Sequence, residues 1–259
     1  MKRDDIKLTN DQIVYLAEQL KAKFLLGMTD NTRILSQEQK QNYRDTTEEQ
    51  LREKGVIKLA FGGKKTIDQE VEKCIRHCMN CEKYMAYSEE KIGTEIRYNR
   101  FYYRDGVWMQ AEEKAGLFSF AEVGADVVKQ QIEMVQPRGI KQYETDVYLL
   151  IPLRDWKEVL RKKRMKDTEA AEEILDRHIV SEKCKKLICN PESKIVSMTI
   201  AQNAEEKVNI KTSSIIYDTD YIGEFFETVQ DDRTMKGIQE IKNGDWIPMM
   251  GVIDKWLTA

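Results

Sequence analysis

Asp105-Gly106 constrains this chain more than any other pair of residues. The dipeptide sits between two β-rich runs, with Ile96, Tyr98, Phe101 and Tyr103 before it and Val107, Trp108 and Met109 after it. A two-residue connection between twisted strands needs positive φ at both central positions, which Asp and Gly tolerate. The segment therefore predicts a β-hairpin over residues 97–110. Residues 116–123 read as a third strand. Residues 125–136 then turn helical, with Val127, Val128, Ile132 and Val135 on one face and Pro137 as the stop.

Upstream the period is helical. Thr9, Thr47 and Thr66 each precede a Gln by three residues, the pattern of a capping box, in which the hydroxyl and the amide each satisfy an orphan backbone N–H. Behind the first, Ile13, Ala17, Leu20 and Phe24 make one stripe, with Gly27 as a stop. The middle helix is short and ends at Gly55. Behind the third, Val71, Cys74, Ile75, Cys78 and Met79 make another stripe.

The second half repeats this order. Residues 147–153 lead into a helix around Trp156 and Leu160, and a second helix spans 167–177. Alternation at 194–202 and 206–213 predicts strands, and Ile222, Phe225, Phe226 and Val229 have helical spacing. A last helix runs from about Trp246 to Leu257. Residues 48–57 (EEQLREKGVI) align with 172–180 (EEILDRHIV), one residue short. An internal duplication follows, with residues 1–137 as the first repeat and 138–259 as the second, packed as one unit.

Composition narrows the function. The 259 residues carry 42 Lys and Arg against 45 Asp and Glu, a net charge of −3, so no global field draws in nucleic acid or an anionic membrane. The longest apolar run, 147–153, is too short to span a bilayer, and no secretory h-region follows Met1. Five cysteines in a chain of this size do not form a disulfide framework, and a reducing cytoplasm is the expected location.

Catalytic and metal chemistry find no centre. Cys74, His77, Cys78 and Cys81 look like ligands as text, but three- and four-residue spacings on one helix leave at most two of them to reach a single ion. Cys184 and Cys189 would complete a site only from a strand lying against that helix. The histidines are His77 and His178. Residues 62–65 (GGKK) lack the strand–loop–helix frame of a phosphate loop and read as a surface turn. The Glu89-Glu90 and Glu112-Glu113 pairs read as solvated. No catalytic residue, metal or cofactor is expected. A second reading is a winged-helix regulator holding DNA through residues 1–60, although the helix after Thr47 opens with Glu48 and Glu49.

The hairpin is the best binding feature. It gathers Tyr98, Phe101, Tyr102, Tyr103 and Trp108 beside Arg97, Arg100 and Arg104, more aromatics than one strand face can bury, and of the types enriched at interface hot spots. A leading helix over 8–26 is followed by a short one ending in L-x3-G-x-I (Leu51, Gly55, Ile57). A helix over 71–84 and an aromatic meander over 101–120 come next, and then the order recurs. This layout resembles the EspG-like proteins, the cytosolic chaperones of ESX/type VII secretion systems. The resemblance implies an α+β, quasi-two-fold fold with a central antiparallel sheet flanked by helices. It also implies partners, namely helical secretion-substrate proteins kept soluble until export. In that family the sheet surface and the loop between neighbouring strands contact the client. The matching positions are Tyr102, Tyr103, Asp105, Val107 and Trp108, and Arg100 and Arg104 complete the candidate surface. The chain departs from the family in its short Asp-Gly turn, where a longer loop is common, and in its richness in Lys and Glu.

Overall fold

The computed structural model describes residues 7–22, 25–60, 63–91, 96–137, 148–204, 207–230, 232–240 and 244–258. Its contacts divide into two compact units, neither a continuous half of the chain. The first takes Met1–Ala86, Tyr98–Gly124 and Ala201–Asn209, and the second takes Tyr87–Arg97, Ala125–Ile200 and Ile210–Ala259.

In the first unit, α1 (Asn10–Gln19) starts where the sequence predicts. The Thr9 hydroxyl accepts from the Gln12 N–H at 3.2 Å, and the Gln12 side chain accepts from the Thr9 N–H at 3.1 Å. Such a cap contributes about 1 kcal/mol. Ile13, Leu16 and Ala17 then bury one face. The helix stops well before Gly27, and Phe24 of the expected stripe lies outside the described residues.

The second expected start is corrected. Helix α2 (Gln37–Glu53) is one 17-residue helix whose capping box is Ser36 and Gln39. Thr47 lies inside it and donates its hydroxyl to the Tyr43 carbonyl at 2.8 Å, the way a mid-helix Thr satisfies itself. The third start shifts by two residues. Asp68 caps α3 (Gln69–Met79), while Thr66 belongs to β3 (Lys65–Ile67), which pairs with β2 (Ile57–Leu59). Tyr84, expected on that helix, lies instead in β4 (Lys83–Lys91), where Tyr84 and Ala86 reach the helical core at strand spacing.

The predicted hairpin is present as β5 (Arg97–Arg104) and β6 (Val107–Lys114). Asp105 and Gly106 take φ of 50° and 80°, the left-handed pair the dipeptide predicts. A second such turn, Ala115 and Gly116 at 53° and 75°, leads into β7 (Leu117–Val123). With β1 (Leu8–Thr9) the strand order is β1-β7-β6-β5-β4. Helices α1 to α3 cover one face of this sheet, burying Leu8, Leu16, Leu51, Ile75, Tyr102, Met109 and Phe118. Each fully buried aliphatic or aromatic side chain contributes about 1.5–3 kcal/mol.

The second unit holds α4 (Ala125–Val135), β8 (Leu149–Pro152), α5 (Leu153–Arg164), α6 (Thr168–Leu175), β9 (Ile179–Val180), α7 (Glu182–Cys189), β10 (Lys194–Ala204), β11 (Lys207–Tyr217), β12 (Ile222–Gln230), β13 (Arg233–Gln239) and α8 (Trp246–Thr258). Its strands run β10-β11-β12-β13-β8-β9. Leu149, Ile151, Trp156, Val159, Leu175, Leu187, Ile216 and Ile238 form the core under α5, α6 and α7.

Two expectations fail here. The segment 221–229, read with helical spacing, is strand β12 from Ile222 onward, with Phe225 packed on Trp156 from one face and Phe226 over Gly237 on the other. Apolar residues on both faces of a strand imitate helical spacing. Cys184 and Cys189 sit on α7 and not on a strand.

The fold is α+β, an antiparallel sheet flanked by helices, and every described ladder is antiparallel. Among the described residues the element order recurs: β1-α1-α2-β2-α3-β4-β5-β6-β7-α4 against β8-α5-α6-β9-α7-β10-β11-β12-β13-α8, with β3 and a short 3-10 helix at Asn31–Ile34 as the additions of the first series. The aligned segments 48–57 and 172–180 both lie at a helix end leading into a short strand, and their Leu51 and Leu175 are both fully buried.

Candidate protein-binding surface

The β5–β6 ladder is continuous for seven pairs, from Tyr98↔Glu113 to Arg104↔Val107. Its inward side chains are committed to the protein's own structure. Tyr102 is fully buried and donates its hydroxyl to the Leu26 carbonyl at 2.9 Å, with its ring 5.2 Å from that of Tyr84. The Tyr84 hydroxyl fills the space a side chain would need at Gly27, whose φ is 71°. Arg100 has only 14% of its side chain exposed. It donates to the Gly27 carbonyl and to Glu113, each at 3.0 Å, and lies over the rings of Tyr98 and Phe118. Trp108 is buried and packs on Tyr103 at 5.0 Å. Tyr102 and Arg100 on one face of the ladder, and Trp108 on the other, are therefore committed inside the protein.

The remaining predicted positions face outward. Val107 is 38% exposed, and the Asp105 side chain is 77% exposed. Arg104 pairs with Asp105 at 3.0 Å and donates to the Arg76 carbonyl near the end of α3. The Asp105 N–H donates to Glu82 at 3.1 Å. Tyr103 is half-buried and receives the Lys83 ammonium 4.6 Å from its ring centre.

The sequence missed the wall beside this turn. A cleft of about 550 Å³ runs between the turn and α3, lined by Gln69, Glu72, Lys73, Arg76, His77, Arg104 and Asp105. The α3 residues recur at three- and four-residue steps, a polar stripe opposite the Val71–Ile75–Cys78 face, and that spacing is the signal that would have found them. The charges are locally paired, Arg76 with Glu72 at 2.7 Å and Lys73 with Glu122 at 2.9 Å. His77 donates from Nε2 to the Tyr102 carbonyl at 3.1 Å, and burial holds its pKa below the usual histidine range. The cleft therefore presents a near-neutral polar surface at neutral pH.

Among the described residues no group of three or more His, Cys, Asp and Glu could hold a metal ion. Burial pushes the Cys78, Cys81 and Cys184 thiols up, Cys81 to about 12, so they stay protonated at neutral pH. Helix α2 carries three basic residues (Lys40, Arg44, Arg52) against five acidic ones (Glu38, Asp45, Glu48, Glu49, Glu53), a poor face for phosphates. No described helix is long and apolar enough to cross a membrane.

No protein-family model matches the chain, and no curated protein matches it. Among solved structures it is similar to the Mycobacterium tuberculosis type VII secretion system chaperone EspG5 in complex with the PE25–PPE41 dimer. The two share 10% identity over 91% of this chain and 90% of that one, with a TM-score of 0.46.

Proposed function

We propose that the chain is a non-catalytic chaperone or adaptor of the cytoplasm. The turn of β5 and β6 and the cleft beside α3 would receive a helical type VII secretion substrate and keep it soluble for export. One observation carries the reading. An exposed tip, Asp105 and Val107, stands on a strand pair in which Arg100, Tyr102 and Trp108 are held by the protein's own contacts. A surface ordered before binding loses little entropy when a partner docks, which is what a protein-recognition platform needs. The repeated element order supports it, being the layout that the EspG-like resemblance implies. The division into repeats at residues 1–137 and 138–259 belongs to the same proposal.

Co-expression with a helical type VII substrate pair, followed by co-purification, tests this directly. The expected result is a stable complex that Val107→Asp and Asp105→Lys each weaken, while circular dichroism of the free variants is unchanged. Equal recovery of the pair with both variants would contradict the assignment to this tip.

A further inference from the structure

The β11–β12 ladder stops early. It holds three pairs, Tyr217↔Ile222, Ile216↔Gly223 and Ile215↔Glu224, and no further pair forms between these strands among the described residues. Beyond it β12 continues paired to β13 as far as Gln230↔Arg233. On β11, Ser214 and Thr212 hydrogen-bond side chain to side chain with Ser197 and Thr199 of β10. Beyond Ile215 and Glu224 the two strand edges are therefore not paired with each other among the described residues, and we call this opening in the second unit a fork.

The fork's backbone chemistry follows from the closing bond, Asp218 N–H to the Tyr221 carbonyl at 3.0 Å. In an antiparallel ladder every second residue directs both its N–H and its C=O across the pair. Tyr221 and Gly223 face β11, so Phe225, Glu227 and Val229 direct theirs the same way. Ile210, Thr212 and Ser214 direct theirs from the other prong. Glu227 through Gln230 and Ile210 through Thr212 are exposed. Ile210 and Val229, exposed by 58% and 70%, flank the mouth on the same face.

We propose that this fork takes an extended segment of a partner protein, which pairs with the outward edge of β12 as an added strand. Unpaired N–H and C=O groups in an alternating row are met fully only by another strand. The segment carries an apolar side chain over Val229 and Ile210, and a polar one near Thr212 and Ser214. Lys211 and Glu227 are the two charged residues of the prongs 210–214 and 225–230, and Glu227 already pairs with Lys236 at 3.0 Å. Binding is therefore nearly independent of salt. This surface is separate from the β5–β6 tip and stands whether or not that tip binds a helical client.

The test uses the full chain in two arms. In the first, amide exchange of the free protein is read by NMR. Phe225, Glu227 and Val229 exchange at least about ten times faster than Phe226 and Thr228, a factor set by one lost hydrogen bond. Equal protection would mean a closed ladder and would overturn the fork. In the second arm a random ten-residue peptide display library is panned on the chain. Recovered peptides alternate apolar and polar residues. Glu227→Pro weakens them about ten-fold, because it removes an outward donor without touching the β13 ladder, whereas Glu227→Ala leaves them within about two-fold. No recovered peptide, helical spacing in the peptides, equal loss in both variants, or self-association of the chain through β12 would each overturn the proposal.

Discussion

The two hairpins β5–β6 and β11–β12 share a plan and differ in one tie. Aligned on their turns, Asn99 and Gln110 correspond to Ser213 and Glu224. Each pair is hydrogen-bonded across the strands, Gln110 to Asn99 at 2.9 Å and Ser213 to Glu224 at 2.5 Å. The next tie exists only in the first. Arg100 reaches Glu113 there, while the matching residues, Ser214 and Glu227, turn outward to Ser197 of β10 and Lys236 of β13. Where Arg100 joins the strands the ladder runs seven pairs, and where its counterpart is Ser214 it runs three. One long side chain, tied to Glu113 across the strands and to the Gly27 carbonyl, accompanies the longer ladder and has no counterpart in the shorter one.

Variants should sharpen or break that contrast. The largest effect belongs to the closed hairpin: Trp108→Ala empties a buried site and costs about 3–5 kcal/mol in urea unfolding. Gly237→Ala places a methyl against the Phe226 ring that covers it, 2.1 Å from the nearest ring atom, and costs about 1–3 kcal/mol. Arg100→Ser imports the residue of the open hairpin. It should cost about 1–3 kcal/mol by leaving Glu113 and the Gly27 carbonyl without their donor, and it should speed amide exchange at Ala111 and Glu113. Unchanged exchange would refute the role given to the tie.

His77 gives a smaller, pH-dependent effect. Burial lowers its folded pKa, so the unfolded chain binds the proton more readily. Stability is full above the unfolded value of about 6.5 and falls as the pH drops from there through the folded pKa. His77→Gln should flatten that part of the stability profile. Val229→Ala, on the exposed prong, should stay within about 0.5 kcal/mol of the parent.

Local signals carried the β5–β6 half of this comparison. Asp105-Gly106 set the turn and register, and Thr9-x-x-Gln12 set a helix start, because each feature is satisfied by residues within a few positions. The β12 strand was not legible. Phe225 and Phe226 bury against different faces, Trp156 on one and Gly237 on the other, and those partners are distant in sequence. The same limit affects the candidate site. The residue types of a binding hairpin were readable, but Tyr102 is a core post under the helices and Trp108 is buried on the opposite face, and which aromatic is covered depends on elements distant in sequence. The α3 wall of the cleft was visible only as a polar stripe.

The central claim is that the β5–β6 tip receives a helical client. Hydrogen-exchange mass spectrometry of the full chain, alone and with a co-expressed type VII substrate pair, tests it most directly. The account predicts slowed exchange at residues 103–108 and along Lys73–His77. Protection confined to other segments, or none anywhere in a chain that remains folded, would contradict it.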